Sequence, residues 1–433
     1  ASVDANRGIL EYSDLLKRPL EAFKYLLSTC ETGRVSLDSV MLYLDIVMLG
    51  TANEQNLDRF KEISEFTSFK SRIELIRVPY LLRYDVEKSI YDEHLKESNL
   101  PKYIGPHFTE LAALWAVMTR LRRPNPERLP EEIRELVGPL TPLEKAKLYN
   151  NSEVPKRYNT DQAKILRKHI KDLIEETRND THYEGRIGAS PREIKTLLLS
   201  AAQNERYPSA TPLALFEEME ELIQDRSVYQ FLQLETQNGY YDPKKFIEDL
   251  RELHLEIIDN EFRRASSLVQ PNQFQRQFDR YIEHIKAYLR KEKILNPNTR
   301  KPEEADERLM QEVEAQIMSS EEQAEQFRNA IISKVAATSL ENPGQKVDIH
   351  RLFQAYIDTL EYNFFTNNQK KLKRLAQHML ILIVDKKHNL SDNDKKDAEA
   401  TLNALRNRFQ YSDHCIKEIA SLLIRKRYNA IEA

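Results

Sequence analysis

Along most of the chain, apolar residues recur every three or four positions, the spacing of helices with one buried face. Two stretches near the start break that rule. An apolar run from Leu44 to Leu49 closes at Gly50, and a second from Ile73 to Val78 ends at Pro79. Short apolar runs bounded by glycine and proline predict buried strands of a parallel sheet. A polar helical patch lies between them. Asn53 falls just beyond the carboxyl end of the first run, and Arg72 stands directly before the second. Ahead of both, Ile9, Leu10, Leu15, Leu16, Phe23, Tyr25, Leu26 and Leu27 give a helical pattern broken around Pro19 and stopped at Glu31-Thr32-Gly33.

From residue 81 onward the pattern predicts helices. One follows Asp85 through Tyr91 and Leu95. Another runs from His107 to Leu121 with Phe108, Leu111, Leu114, Trp115 and Met118 on its buried face. His107 reads as a cap or solvent residue. Arg120, Arg122 and Arg123 read as cations suited to the negative end of the helix dipole. A proline-punctuated connector covers 124–142, and a helix spans Asp161 to Thr177. In 182–203, Ser190 is a good N-cap with Pro191 in the first helical position. Long amphipathic helices occupy 212–236 and 243–290, the second with a break near Pro271. After a polar joint at 295–307, helices are predicted at roughly 303–318, 322–338, 346–364, 369–385, 392–409 and 411–427. The expected organisation is an α/β portion at 1–80, a helical portion at 81–211 and a further helical domain at 212–433.

Composition narrows the class. Only nine glycines occur in 433 residues, so a mostly α protein with a small α/β portion is expected. A net charge of -4 with 31% charged residues gives no global basic field, so nucleic acid is not expected as a partner. Lys370, Lys371, Lys373 and Arg374, and Arg425, Lys426 and Arg427, read as solvated faces. His254 and His284 lack a clustered partner. Cys30 and Cys415 have no metal or disulfide spacing, and a reducing cytoplasm is the expected location. No run approaches the ~20 apolar residues of a membrane span. The chain does not begin with Met, and an N-terminal part is expected to precede Ala1.

Three positions carry candidate chemistry. A strand-end amide and an arginine at an element boundary suit a phosphate or a polarised water. The plain alternatives are that Asn53 closes a turn and Arg72 pairs with a surface carboxylate. Arg192 lies in the first turn of its helix, where a cation opposes the dipole. A ligand would explain it, and so would pairing with Glu193. The arrangement resembles the back half of an AAA+ ATPase module. Asn53 corresponds to the sensor-1 residue, Arg72 to the arginine finger, and Arg192 in the string G-A-S-P-R to the sensor-2 arginine. Asp4, in Asp4-Ala5-Asn6-Arg7-Gly8, resembles the acidic segment after the Walker B strand, and an Asp capping a helix is the alternative.

Longer blocks are more specific. ANRGILEYSDLLKRP, VMLGTANE, FKSRIELIRVPYLLRYDVEKSIYDEHL, IGPHFTELAALWAVMTRLRRP and EGRIGASPREIKTLL are together similar to the bacterial PrkA-type serine protein kinases. A weaker likeness continues through FDRYIEHIKAYLRKEKILNPNT and FRNAIISKVAATS. The resemblance implies an AAA+ core lacking its P-loop part, then a helical lid and a helical C-terminal domain. It also implies ATP with Mg²⁺, phosphorylation of a protein substrate, and a ring or other homo-oligomer in which Arg72 acts in trans. The chain departs from nucleotide-binding patterns at two points. It contains no G-x-x-x-x-G-K-[ST], and none of the Gly-rich loop, H-R-D or D-F-G of eukaryotic-type kinases. An AAA+ machine that remodels or processes a protein client, and a non-catalytic helical interaction protein, remain the alternatives.

Overall fold

The computed structural model describes residues 7–18, 29, 31–37, 40–64, 66–98, 100–266, 268–269, 272–295, 301–318, 323–341, 348–384 and 390–429. Asp4 and Cys30 lie outside them. The chain divides into two compact units, 1–79 and 80–433, and helix dominates, as expected.

The first unit holds β1 (Ile9–Tyr12), β2 (Arg34–Leu37), β3 (Val40–Tyr43), β4 (Val47–Gly50), α1 (Glu54–Lys61) and α2 (Phe66–Lys70). β1 pairs in parallel with β4, Ile9 opposite Val47 and Tyr12 opposite Gly50, and β2 pairs antiparallel with β3. The sequence expectations need correction here. Ile9 and Leu10 open a strand, not a helix: β-branched Ile9 and aromatic Tyr12 fit a pleat once β4 lies alongside. The strand expected from Leu44 begins only at Val47, and it is not buried: Val47 is 61% and Leu49 53% exposed. The strand expected over Ile73–Val78 is absent. That segment forms no strand or helix, with Ile76 76% and Val78 85% exposed. Apolar character favours a strand only where a ladder partner is present, and none of the described strands pairs with it. Leu15 and Phe60 form a small core with Tyr12, Leu16, Phe66 and Ile73 packed on it, Phe60 and Phe66 meeting edge to face.

The second unit contains α3 (Tyr84–Glu97), α4 (Phe108–Arg120), α5 (Glu131–Val137), α6 (Pro142–Asn151), α7 (Thr160–Lys168), α8 (Ile170–Glu175), α9 (Pro191–Gln203), α10 (Pro212–Leu222), α11 (Pro243–Ala265) and α12 (Gln273–Arg290). A two-residue ribbon, β5 (Ile294–Leu295) with β6 (Pro302–Glu303), leads to α13 (Glu307–Ile317), α14 (Ala324–Glu341), α15 (Ile349–Leu352), α16 (Gln354–Asn367), α17 (Gln369–Val384), α18 (Asp392–Arg408) and α19 (Asp413–Leu423). The helix expected over Asp161–Thr177 is two helices with a break at His169, whose ring bonds Asp172 Oδ2 at 2.6 Å. The helix expected to reach 236 ends at Leu222.

α4 is buried around its whole circumference, with Trp115 fully enclosed. Two hydrophobic cores surround it and the later helices, and α11 runs through both. Phe246, Ile247 and Leu250 serve the first core, and Leu255, Ile258 and Phe262 the second.

Where the cores meet, His107 is more than a cap. Its left-handed backbone (φ 63°) starts α4, and its ring bridges Glu110 Oε2 at 3.0 Å and Glu261 Oε1 at 2.9 Å on α11. Tyr411 donates to the other Glu261 oxygen at 2.5 Å. Burial alone lowers the His107 pKa, but hydrogen bonds to Glu110 and Glu261, with their charges, outweigh it and push it up to about 9. His254, enclosed nearby on α11, is driven down to about 3 by burial, with the His107 charge adding to the effect.

Arg120 corrects the dipole reading. It is 1% exposed, and it lies beneath the loop before α9. Gly188 in that loop has φ 155°, and a Cβ there would stand 3.0 Å from Arg120 Cα and 3.1 Å from its backbone nitrogen.

A group whose folded pKa exceeds its unfolded value stabilises the fold fully below the unfolded value, near 6.5, and loses that contribution as pH rises through about 9. The urea midpoint of the second unit should therefore fall between pH 6.5 and 9.5, by a stability loss on the order of 2 kcal/mol. Tyr411 and Tyr103 are raised by burial and do not titrate in that window. His107→Asn, which tolerates the left-handed backbone, should flatten this slope; an equal slope in the variant would rule His107 out as its source. Gly188→Ala should lower stability by about 2 kcal/mol or more, since backbone atoms cannot give way to the added methyl. An unchanged melting temperature would contradict that packing.

Candidate functional site

In the first unit the turn after β4 is fixed by the turn after β1. The Thr51 amide donates to Tyr12 O at 2.9 Å, and the Leu15 amide donates to Thr51 O at 2.8 Å. The chain then enters α1 through Asn53, whose backbone is extended (φ -71°, ψ 141°). Its carbonyl accepts the amides of Asn56 and Leu57, each at 3.0 Å. Its side chain makes no capping bond, is exposed, and has no partner among the described residues. Asn53 thus stands three residues past a parallel strand with its amide uncommitted.

Arg72 follows α2 and precedes no strand. Its Nε donates to Glu31 Oε2 at 2.7 Å, and its Nη1 donates to Ser68 O at 2.8 Å and Ser68 Oγ at 2.5 Å. The expected alternative, pairing with a surface carboxylate, describes this geometry. An ion pair with Glu31 55% exposed is worth about 0.2–1 kcal/mol, so its exchange for another anion costs little. Asn53 and Arg72 share a unit, but no hydrogen bond or ion pair joins them.

Arg192 lies in the second unit, at the start of α9. The sequence builds this start well. Ser190 Oγ accepts the Glu193 amide at 3.3 Å, and Glu193 Oε2 accepts the Ser190 amide at 2.6 Å, a reciprocal capping box with Pro191 at the first position. Glu193 is thereby committed to the cap and does not pair with Arg192. The Arg192 side chain is exposed and without a partner among the described residues. A free guanidinium at the positive end of a helix is held there against its electrostatic preference.

Two buried ionic networks set the loop that delivers it. Glu184 is 4% exposed. It accepts Lys145 Nζ at 2.5 Å, Tyr149 Oη at 2.9 Å and the Arg122 amide at 2.9 Å. Five residues on, Arg120 holds Ala189 O through Nε at 3.0 Å and Nη2 at 2.7 Å. The Ala189 amide donates to Thr119 Oγ1 at 2.9 Å, and the Gly185 amide to Arg120 O at 3.1 Å. The sequence reading gave Arg120 only a dipole role and did not single out Glu87, Lys145 or Glu184. One signal was available: a helix apolar on all sides is enclosed, so a charge in its last turn needs a buried partner.

Among the described residues no three of His, Cys, Asp or Glu converge as metal ligands. No described helix is long and apolar enough to cross a membrane.

Comparisons with known proteins place the chain among relatives. The PrkA AAA domain profile matches residues 1–128, and the PrkA serine protein kinase C-terminal domain profile matches residues 143–421. The chain is 25% identical over 335 residues to a Bacillus subtilis protein named ATP-dependent protease PrkA, an alignment covering 77% of this chain and 48% of that one. It is 20% identical over 373 residues to Serine/threonine kinase YeaG of Escherichia coli K12, covering 85% of this chain and 53% of the relative. The chain therefore spans about half the length of the curated relatives it matches. No solved structure matches it significantly. With the C-terminal domain profile covering well over half of its length and the AAA domain profile covering its start, the chain belongs to the PrkA family.

Proposed function

We propose that the chain is part of an ATP-dependent protein kinase of the PrkA type, in which an AAA-type module drives transfer of a phosphoryl group to serine on a protein client. The observation that carries this reading is the unpaired Arg192 guanidinium at the start of a well-capped helix, with the neighbouring Glu193 already used by the cap. Such a cation gains nothing from its helix and much from an anion. The free Asn53 amide beyond β4 fits the same ligand chemistry, that of a nucleotide's phosphates.

Phosphoryl transfer depends on positioning and on charge stabilisation more than on covalent chemistry. In this reading Asn53 orients the attacking water or hydroxyl. Arg192 reports nucleotide state through α9. Arg72 leaves Glu31 and stabilises charge on the transferring group at a neighbouring subunit, which requires a homo-oligomer. ATP brings the phosphoryl group, and Mg²⁺ arrives with it, needing few protein ligands because phosphates and water complete its shell. A cytoplasmic setting with a protein substrate completes the proposal.

One observation favours a second reading, an AAA-type machine that processes its client. The Bacillus relative is named as an ATP-dependent protease. Cys415 does not supply a nucleophile for it, because burial pushes its thiol up.

The test uses the full encoded protein with γ-labelled ATP. Arg72→Ala should lower turnover about 10³-fold or more while nucleotide still binds, and label should appear on client serine. Label released only as phosphate, with client cleavage, would select the second reading. Unchanged turnover in Arg72→Ala would remove Arg72 from the mechanism.

A further inference from the structure

Arg120 lies at the crossing of three segments that are distant in sequence. Its Nη1 donates to Leu81 O at 2.9 Å, its Nε and Nη2 to Ala189 O, and its Nη2 to Glu87 Oε1 at 2.7 Å. Its guanidinium also lies over the Tyr80 ring, 5.1 Å from the centroid. The Tyr80 amide in turn donates to Gly185 O at 2.8 Å, in the loop that leads to Arg192. Tyr80 and Leu81 open the second unit, directly after Pro79 ends the first. One planar cation therefore grips the first residues after the unit boundary and the residue that precedes the Ser190 cap.

This geometry is specific to arginine. A guanidinium projects donors in several fixed directions within one plane, so it can hold two backbone carbonyls and a carboxylate together. An ammonium can satisfy Glu87 but not all three. Gly188 allows the loop to lie directly on the Arg120 backbone. No slack remains between the helix end and the loop.

We infer that Arg120 is the positioning residue for Arg192: it sets the start of α9 relative to the connector Tyr80–Leu81, so that motion of the chain at the unit boundary is transmitted to the Arg192 guanidinium. The inference rests on the proposed role of Arg192 at the nucleotide phosphates. It adds a linkage that this role does not require, since an exposed arginine could have been carried on a loop independent of the connector.

The experiment uses the full encoded protein and two variants, Arg120→Lys and Arg192→Ala. Arg120→Lys keeps a charge for Glu87, which protects the fold better than a neutral replacement. Hydrogen exchange of the 182–193 segment reads the linkage directly, with the segment around α10 as an internal reference. Exchange in 182–193 should rise about tenfold or more in Arg120→Lys and stay constant around α10. The same variant should lose the preference for ATP over ADP, and turnover, to about the extent seen in Arg192→Ala, with ADP binding unchanged. A uniform rise in exchange, or none, overturns the inference whatever Arg192 does. Local loosening with ATP preference and turnover intact, while Arg192→Ala loses both, also overturns it and leaves the reading of Arg192 standing. If Arg192→Ala changes neither quantity, the functional reading itself falls, and the inference with it.

Discussion

The second unit depends on the buried pair of Glu87 and Arg120, both fully enclosed. Removing two charges from water costs several kcal/mol per ion, and their attraction repays this only when the remaining donors and acceptors are also used. Arg120 meets that condition with Leu81 O and Ala189 O, and Tyr91 donates to the same Glu87 oxygen. The other Glu87 oxygen is buried without a partner. An apolar replacement of similar volume could match the pair in stability. It could not hold the connector, α3, α4 and the α9 loop in one register. The pair's value lies in the geometry it enforces, and the loop carrying Arg192 inherits that geometry.

A second ionic crossing does comparable work between the two hydrophobic cores. α11 supplies apolar residues to both, and nonpolar packing alone leaves rotation about such a shared helix weakly specified. Directed bonds fix it. His107 reaches from the start of α4 to Glu261, Tyr411 reaches Glu261 from beyond α18, and Tyr428 bonds Asp259 at 2.6 Å. The His107–Glu261 contact lies in the wall of a cleft of about 320 Å³ bordered also by Tyr103, Arg408 and Gln410. His107 and Gln410 both adopt left-handed backbones there, conformations that cost energy in residues other than glycine and persist where surrounding contacts over-determine them.

The first unit obeys a different balance. Parallel strands ordinarily have both faces covered, yet Ile9, Val47 and Leu49 are more than half exposed. Within the described residues the small core of Leu15 and Phe60 is what packs the unit. Asn53 and Arg72 therefore sit on segments fixed by hydrogen bonds more than by burial, whereas Arg192 sits on an element fixed by a deep core.

The sequence by itself determined what local rules govern. The apolar spacing of FTELAALWAVM specified a buried helix. S-P-R-E specified a capped helix start with a cation in its first turn, because the cap, the proline and the reciprocal glutamate all lie within four residues. Strand-like composition located β4, and motif blocks located the family. Tertiary structure decided whatever depends on a partner distant in the chain. Ile73–Val78 is apolar enough for a strand but finds no ladder among the described residues. Arg72 finds Glu31, 41 positions away. Arg120 finds Leu81, Glu87 and Ala189, and His107 finds Glu261. An arginine at a helix end has the same local sequence whether water or a buried carboxylate meets it. Only the packing of α3 and the α9 loop against α4 removes the water, and that desolvation turns a terminal charge into the joint of the unit.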